Sequence, residues 1–173
     1  IFNGSTAHYV NGNLVGTSNY TNRGYTAKNI YVGCGPGFAS GNFTFDDLRV
    51  YSSALSAAQI QSIYAAQGMP SRGVQNNSMN TVLLLHADST PFIDSSVYGQ
   101  TVTNAGSVTV SSSTYKFGSG SMYTNGSVGN YYLSITAQNL MFGTSNFTIE
   151  FWMNPVTPTV GQRCIGNLPL GSY

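Results

Sequence analysis

Short apolar or alternating runs recur along the chain between Gly, Asn and Ser turn signals: His8 to Val10, Asn13 to Val15, Asn29 to Val32, Phe43 to Tyr51, Thr81 to His86, Ser107 to Val110, Tyr131 to Ile135 and Phe147 to Met153. Runs of this length and punctuation read as strands. Asn11-Gly12 lies between Tyr9-Val10 and Leu14-Val15. Both turn residues tolerate the positive φ of a type I′ turn, so a two-residue hairpin is predicted there. One segment repeats at the helical period instead, with Ile60, Ile63 and Tyr64 on one face. Ser56 can cap it while Gln59 reaches back, and Gly68 followed by Pro70 supplies a stop. Many strands without long intervening helices predict an all-β fold, an antiparallel two-sheet sandwich with one short helix. Ser71 to Asn80 (SRGVQNNSMN) is polar and aperiodic and reads as a linker.

Several of these runs carry a more specific pattern. Phe45-Asp46-Asp47-Leu48-Arg49-Val50-Tyr51, followed by Ala54-Leu55-Ser56 and the helix, resembles the closing segment of laminin G-like, concanavalin A-like jelly-roll domains. Tyr9-Val10-Asn11-Gly12-Asn13-Leu14-Val15-Gly16 resembles the hairpin of that family, and Ile30 to Gly35 its next strand. Beyond the linker, Leu83 to Asp88, Phe92 to Ser96, Phe117-Gly118, Tyr123 to Gly126, Tyr132-Leu133 and Phe147 to Trp152 resemble its opening segments. The resemblance implies a jelly-roll sandwich, and it implies an order: residues 1–70 as the closing half of one domain, 71–80 as a linker, and 81–173 as the opening half of the next. Three arrangements satisfy that order. The chain is a window across two neighbours in a tandem array, a circular permutant, or a pair of half-domains completed by another copy. The first is preferred, because an opening half alone leaves strand edges unpaired. Ile1 opens the chain with no charged segment and apolar stretch of a leader behind it, which fits a processed or excised segment.

Composition narrows the function classes. Only 6 % of the 173 residues are charged, with 6 Lys+Arg against 5 Asp+Glu, where soluble domains carry about 25 %. Six cations build no basic patch for nucleic acid, and none for an anionic membrane. The longest apolar run, around Val82 to Leu85, is far short of the about 20 residues of a membrane span. Cys34 and Cys164 match no metal spacing and are compatible with one disulfide or with two unpaired thiols.

Catalysis finds little support. A glycosidase needs two carboxylates roughly 5 to 10 Å apart, and the chain has a single Glu, Glu150, in an apolar run. Asp46 and Asp47, as neighbours on a strand, point to opposite faces. No G-x-S-x-G occurs, and His8 and His86 sit in strand-like runs where a structural role is expected. The resemblance implies calcium in some members. Asp88 and Asp94 flank the loop that leaves the first strand of the opening half, and antiparallel pairing of first and last strands would bring Asp46 beside them. The competing expectation is that all three carboxylates cap turns.

Carbohydrate recognition is the activity the resemblance implies most often. It would use aromatic faces among amide and hydroxyl groups, and Tyr20, Tyr25 and Tyr98 in polar loop-like stretches are the candidates, whereas Trp152 in its apolar run is expected in the core. Arg49 is expected to pair with a carboxylate and hold the last strand. Two readings follow. One is a non-catalytic glycan-binding or adhesion module of a larger repetitive extracellular or virion-surface protein. The other is a structural protein in which neighbouring copies join into a fibre or shell, a homo-oligomeric or tandem assembly.

Overall fold

The computed structural model describes residues 2–22, 29–33, 41–66, 80–126, 131–136, 140, 145–157 and 164–166. The hairpin forms as its Asn-Gly signal requires: β1 (Phe2–Val10) pairs antiparallel with β2 (Asn13–Asn22), and the turn has φ of 50° at Asn11 and 75° at Gly12. Both strands run well past the apolar residues that mark them, because the ladder continues through Ser, Thr and Asn on a ribbon that buries little. β3 (Asn29–Val32) and β4 (Asn42–Tyr51) follow, then α1 (Ala57–Ala65). Ser56 caps the helix: its Oγ accepts from the Gln59 N–H at 3.3 Å, and the Ser56 N–H donates to Gln59 Oε1 at 2.8 Å. The helix ends at Ala66, ahead of the expected stop at Gly68 and Pro70, which lie outside the described residues, as do positions 71–79 of the linker.

β5 (Thr81–Leu85), β6 (Val102–Asn104), β7 (Thr109–Ser111), β8 (Ser121–Asn125), β9 (Leu133–Thr136), β10 (Thr148–Thr157) and β11 (Ile165–Gly166) complete the order. β4 is the axis of the first sheet. β10 pairs with it along one edge from Tyr51 to Asn42. On the other edge β8 takes Asn42 to Phe45 and β5 takes Leu48 to Tyr51, with β7 beyond β8. The second sheet runs β11-β3-β9-β6. All these pairings are antiparallel. Phe43, Phe45, Leu48, Val50, Leu83, Leu85 and Met122 from the first sheet meet Ile30, Val32, Leu133 and Ile135 from the second in one buried cluster. Each such side chain contributes about 1.5–3 kcal/mol on burial, so this layer carries the fold. The expected all-β sandwich with one helix is the architecture observed.

Both sheets draw strands from both sides of the linker: β4 joins β5, β7, β8 and β10, and β3 joins β6, β9 and β11. The short strands β6, β8 and β11 escape the hydrophobic pattern. Val102-Thr103-Asn104 and Ser121 to Asn125 are too polar to signal a strand, and β11 has two residues.

β5 has a second neighbour that is not a strand. Asp94 Oδ1 accepts the Leu84 N–H at 2.9 Å, Gln100 Nε2 donates to Val82 O at 2.5 Å, and the Ser95 N–H donates to Leu84 O at 2.8 Å. The outer edge of β5 is thus closed by the 94–100 loop.

Candidate functional site

β4 and β10 lose register at one place: Arg49 faces Glu150 and Asp46 faces Trp152, so Asp47 and Leu48 oppose the single Phe151. Asp47 takes φ of 50° there, a bulge that breaks the simple alternation expected of Asp46 and Asp47. The bulge aims three acids at separate tasks. Asp47, fully buried, holds Arg49 at 3.0 Å and accepts from His86 Nδ1 at 3.1 Å. Glu150 Oε1 accepts the Tyr51 hydroxyl at 3.0 Å and lies 3.7 Å from Arg49 Nε. Burial pulls the Arg49 pKa down, and Asp47, Tyr51 and Glu150 more than reverse it. Arg49 therefore locks β4 to β10, as its position in the strand implied.

Asp46 reaches instead to the loop before β8. Its Oδ2 accepts the amides of Lys116 at 2.5 Å and Phe117 at 2.7 Å, while Oδ1 is buried without a hydrogen-bond partner. Burial pushes this carboxyl up from 3.8 to about 6 against the two amides, and the charges of Asp47 and Asp88 add to the rise. Asp88 grips the same loop further on, its Oδ1 accepting the amides of Ser119 at 2.6 Å and Gly120 at 3.0 Å. Gly118 between them has φ of 63°, and any Cβ there would collide with the Asp88 carboxylate. Two carboxylates and one glycine therefore fix where residues 116 and 117 project.

They project onto Trp152. Lys116 Nζ lies 4.9 Å from the centroid of the indole, Phe117 meets it edge-on at 5.9 Å, and Tyr64 of α1 stacks on it at 6.0 Å with the planes 20° apart. The hairpin turn closes the far side, since a Cβ on Gly12 would sit 3.1 Å from Tyr64 Cβ. Tyr64 and Lys116 are exposed, and Trp152 and Phe117 are half-buried. Asn11 and Asn13 flank the turn in the open, the Asn13 side-chain amide donating to Asn11 O at 3.1 Å. An aromatic surface rimmed by one ammonium and amide groups results. It is assembled from β1–β2 and α1 on one side of the linker and from the 116–117 loop and β10 on the other.

Trp152 is thus not in the core, contrary to expectation. Ile149 and Met153 lie opposite the buried Val50 and Phe45, and Phe151 packs on Phe45 at 4.5 Å. Strict alternation puts Trp152 on the face of Glu150. That period-2 signal was present in the sequence, masked by the apolar character of the whole run.

The other candidates are dispersed. Tyr98 is 44 % exposed in the turn after Ser96, and no ring packs against it among the described residues. Tyr20 lies within β2 and not in a loop, with its side chain outside the described residues, as is the whole of Tyr25. Cys34 is likewise outside them. Cys164 is a free thiol whose Sγ lies 3.7 Å from Met153 Sδ, its pKa raised by burial. His8 Nε2 bonds Ser18 Oγ across the hairpin at 2.9 Å, a structural role.

The three acids singled out for calcium hold protein donors in this fold. Asp94 spends both oxygens on four donors, the Leu84 and Ser96 amides on Oδ1 and the Ser96 hydroxyl and Gln100 amide on Oδ2, all at 2.8–2.9 Å. Asp46 and Asp88 each give an oxygen to two loop amides. Calcium takes 6–8 oxygens, and among the described residues no three of His, Cys, Asp and Glu come together in a group that could hold a metal ion. No helix among the described residues is long and apolar enough to cross a membrane.

Comparison with known proteins gives one match. Residues 2–61, from β1 through the first half of α1, match a laminin G-type family model described as the concanavalin A-like lectin/glucanases superfamily. No curated protein and no solved structure matches the chain. The matched stretch holds the hairpin, β3, the bulged Asp46-Asp47 strand and the start of the capped helix, and its resemblance to the concanavalin A-like lectin/glucanases superfamily agrees with the antiparallel sandwich observed.

Proposed function

We propose that this chain is a non-catalytic carbohydrate-binding or adhesion module, part of a larger repetitive protein at a cell exterior or virion surface. The observation that carries this reading is the surface of Tyr64, Trp152, Phe117 and Lys116. Ring faces match the C–H faces of a pyranose, and the Lys116 ammonium and the Asn11 and Asn13 amides beside them match its hydroxyls. The supporting argument against hydrolysis is the occupation of the acids. All five carboxylates of the chain, Asp46, Asp47, Asp88, Asp94 and Glu150, are bonded to amides, hydroxyls or cations inside the fold. None is held as a general acid facing solvent with a second carboxylate across from it, which glycoside hydrolysis requires.

Glycan-array binding of the 173-residue chain tests the reading. Tyr64→Ala removes an exposed ring and is expected to weaken the best ligand about tenfold, the equivalent of about 1.4 kcal/mol, with Trp152→Ala weakening it further. Tyr98→Ala, in a separate turn, is expected to leave it unchanged. Loss of binding on Tyr98→Ala with Tyr64→Ala silent would move the site to the 96–100 turn, and no binding by the parent chain to any glycan would end the proposal.

A further inference from the structure

Of the six cations in the chain, Arg49 is buried at the β4–β10 junction between Asp47 and Glu150, and Arg23, Lys28, Arg72 and Arg163 lie outside the described residues. Lys116 is the one exposed cation among the described residues, and it stands on the aromatic surface. The backbone that carries it is held in place. Asp46 Oδ2 accepts its amide and that of Phe117, and Asp88 Oδ1 accepts those of Ser119 and Gly120. The position of this charge is therefore set by the fold and is not that of a side chain on a loose loop.

The acids of the elements around Lys116 are committed elsewhere. Asp46 and Asp88 turn an oxygen each to the loop amides, and Glu150, on the same face of β10 as Trp152, takes the Tyr51 hydroxyl and faces Arg49. The ion pairs among the described residues join Arg49 to Asp47 and Glu150, and His86 to Asp47. Lys116 Nζ has the indole of Trp152 at 4.9 Å instead, a contact that orients an ammonium without neutralising it. An ammonium donates three hydrogen bonds and accepts none. The hydroxyls of a neutral sugar are met as well by the Asn11 and Asn13 side chains, which donate and accept. What the lysine adds is charge, and a charge-assisted hydrogen bond is about twice as strong as a neutral one.

We propose that the ligand of this surface is an acidic sugar, a pyranose bearing a carboxylate or a sulfate ester, whose anionic group pairs with Lys116 while its ring lies against the aromatic side chains. This rests on the carbohydrate-binding reading of the surface and narrows it to a class of ligand. The rings favour any pyranose with an apolar face, and the lysine selects among them, because charge complementarity across a contact gives specificity more than raw affinity. The two contributions come from different elements, the rings of α1 and β10 on one hand and the 116–117 loop on the other, so substitution can separate them.

A glycan array holding uronate, sialylated, sulfated and neutral oligosaccharides gives the first test on the 173-residue chain. The strongest ligands are expected to be acidic, and carboxylated against sulfated members of the array tell which anion is taken. The best acidic ligand is then compared with its own neutral form, made by reducing the carboxylate to the alcohol or by removing the sulfate. The parent chain is expected to prefer the acidic form about tenfold, the size of one hydrogen bond to a charged group, and the preference is expected to shrink as salt is raised. Lys116→Gln is expected to bring the ratio of the two affinities close to one, and Lys116→Arg to keep it. A general loss of stacking or of folded protein lowers both affinities together and leaves that ratio alone. Leading ligands that are all neutral overturn the inference while the carbohydrate-binding reading stands. So does an acidic preference that Lys116→Gln retains, which would assign the charge to another cation. Binding to no glycan at all removes the wider reading together with this one.

Discussion

Two edges of the first sheet, at β5 and at β10, receive opposite treatment. On the side of β5, a carboxylate, a carboxamide and a backbone amide stand where a neighbouring strand would be, so Leu84 N–H, Leu84 O and Val82 O are all satisfied within the chain. On the side of β10 no described strand follows, and apolar side chains of the inter-sheet layer reach the surface. Buried backbone groups cost about as much as a lost hydrogen bond when unpaired, so sealing β5 stabilises the single chain. Leaving β10 open does not. The difference separates an edge that the chain closes with its own polar groups from one where apolar side chains lie exposed, and substitutions on the two edges are expected to differ accordingly.

The largest effect is expected at the sealed edge. Asp94→Ala removes four hydrogen bonds at once and strands the amides of Leu84, Ser96 and Gln100 in a region where Asp94 itself is buried. Bonds to a charged acceptor contribute about 1.5–3 kcal/mol each but overlap heavily when they share one carboxylate, so a loss of about 3 kcal/mol is expected. Urea unfolding followed by tryptophan fluorescence measures it. A loss below about 1 kcal/mol would mean that the 94–100 loop is ornament on β5 and that the edges do not differ in the way described.

How far this was legible in the sequence divides along the same line. The hairpin was readable because Asn11-Gly12 demands one backbone geometry. The helix cap was readable because Ser56 and Gln59 stand three apart, and the pairing of the first and last strands followed from the jelly-roll pattern and is seen as β4 against β5. Of the two readings of Asp46, Asp88 and Asp94, the capping one names contacts that are seen, since each carboxylate accepts backbone amides. What the sequence hid depends on contacts across 30 to 100 positions. The bulge at Asp47 leaves no local mark, and Lys116 and Phe117 come to Trp152 only because Asp46, 70 residues earlier, binds their amides. Tyr64 looked like the apolar stripe of a short helix and turned out to be exposed, stacked on Trp152.

A second, smaller effect is expected from the carboxylate that holds the 116–117 loop. Asp46 titrates near 6 in the folded chain against 3.8 for an unperturbed group, burial being the main cause. Between those two values the folded chain retains a proton that the unfolded chain has lost, so this group favours folding fully below about 3.8, and the preference is lost as pH rises through 6. Asp46→Asn mimics the protonated carboxyl at every pH. Its stability is expected to be flat from pH 4 to pH 7, where that of the parent chain falls, which chemical denaturation at a series of pH values checks. Parallel profiles would mean that Asp46 carries its charge throughout and that its buried Oδ1 is satisfied in solution.

The smallest effect is expected at the open edge. Met153 is 42 % exposed, and its one sulfur contact is the weak donor Cys164 at 3.7 Å. A lysine there keeps most of the buried stem and lets the ammonium reach water, so Met153→Lys is expected to change the stability of the isolated chain by no more than about 0.5 kcal/mol. Measured at a concentration where the chain is monomeric, that figure stands against the loss on Asp94→Ala in the same sheet. The contrast would locate the chain's self-sufficiency on the β5 side. A cost near that of Asp94→Ala would instead make the β10 end part of the core, with its exposed side chains contributing to the fold.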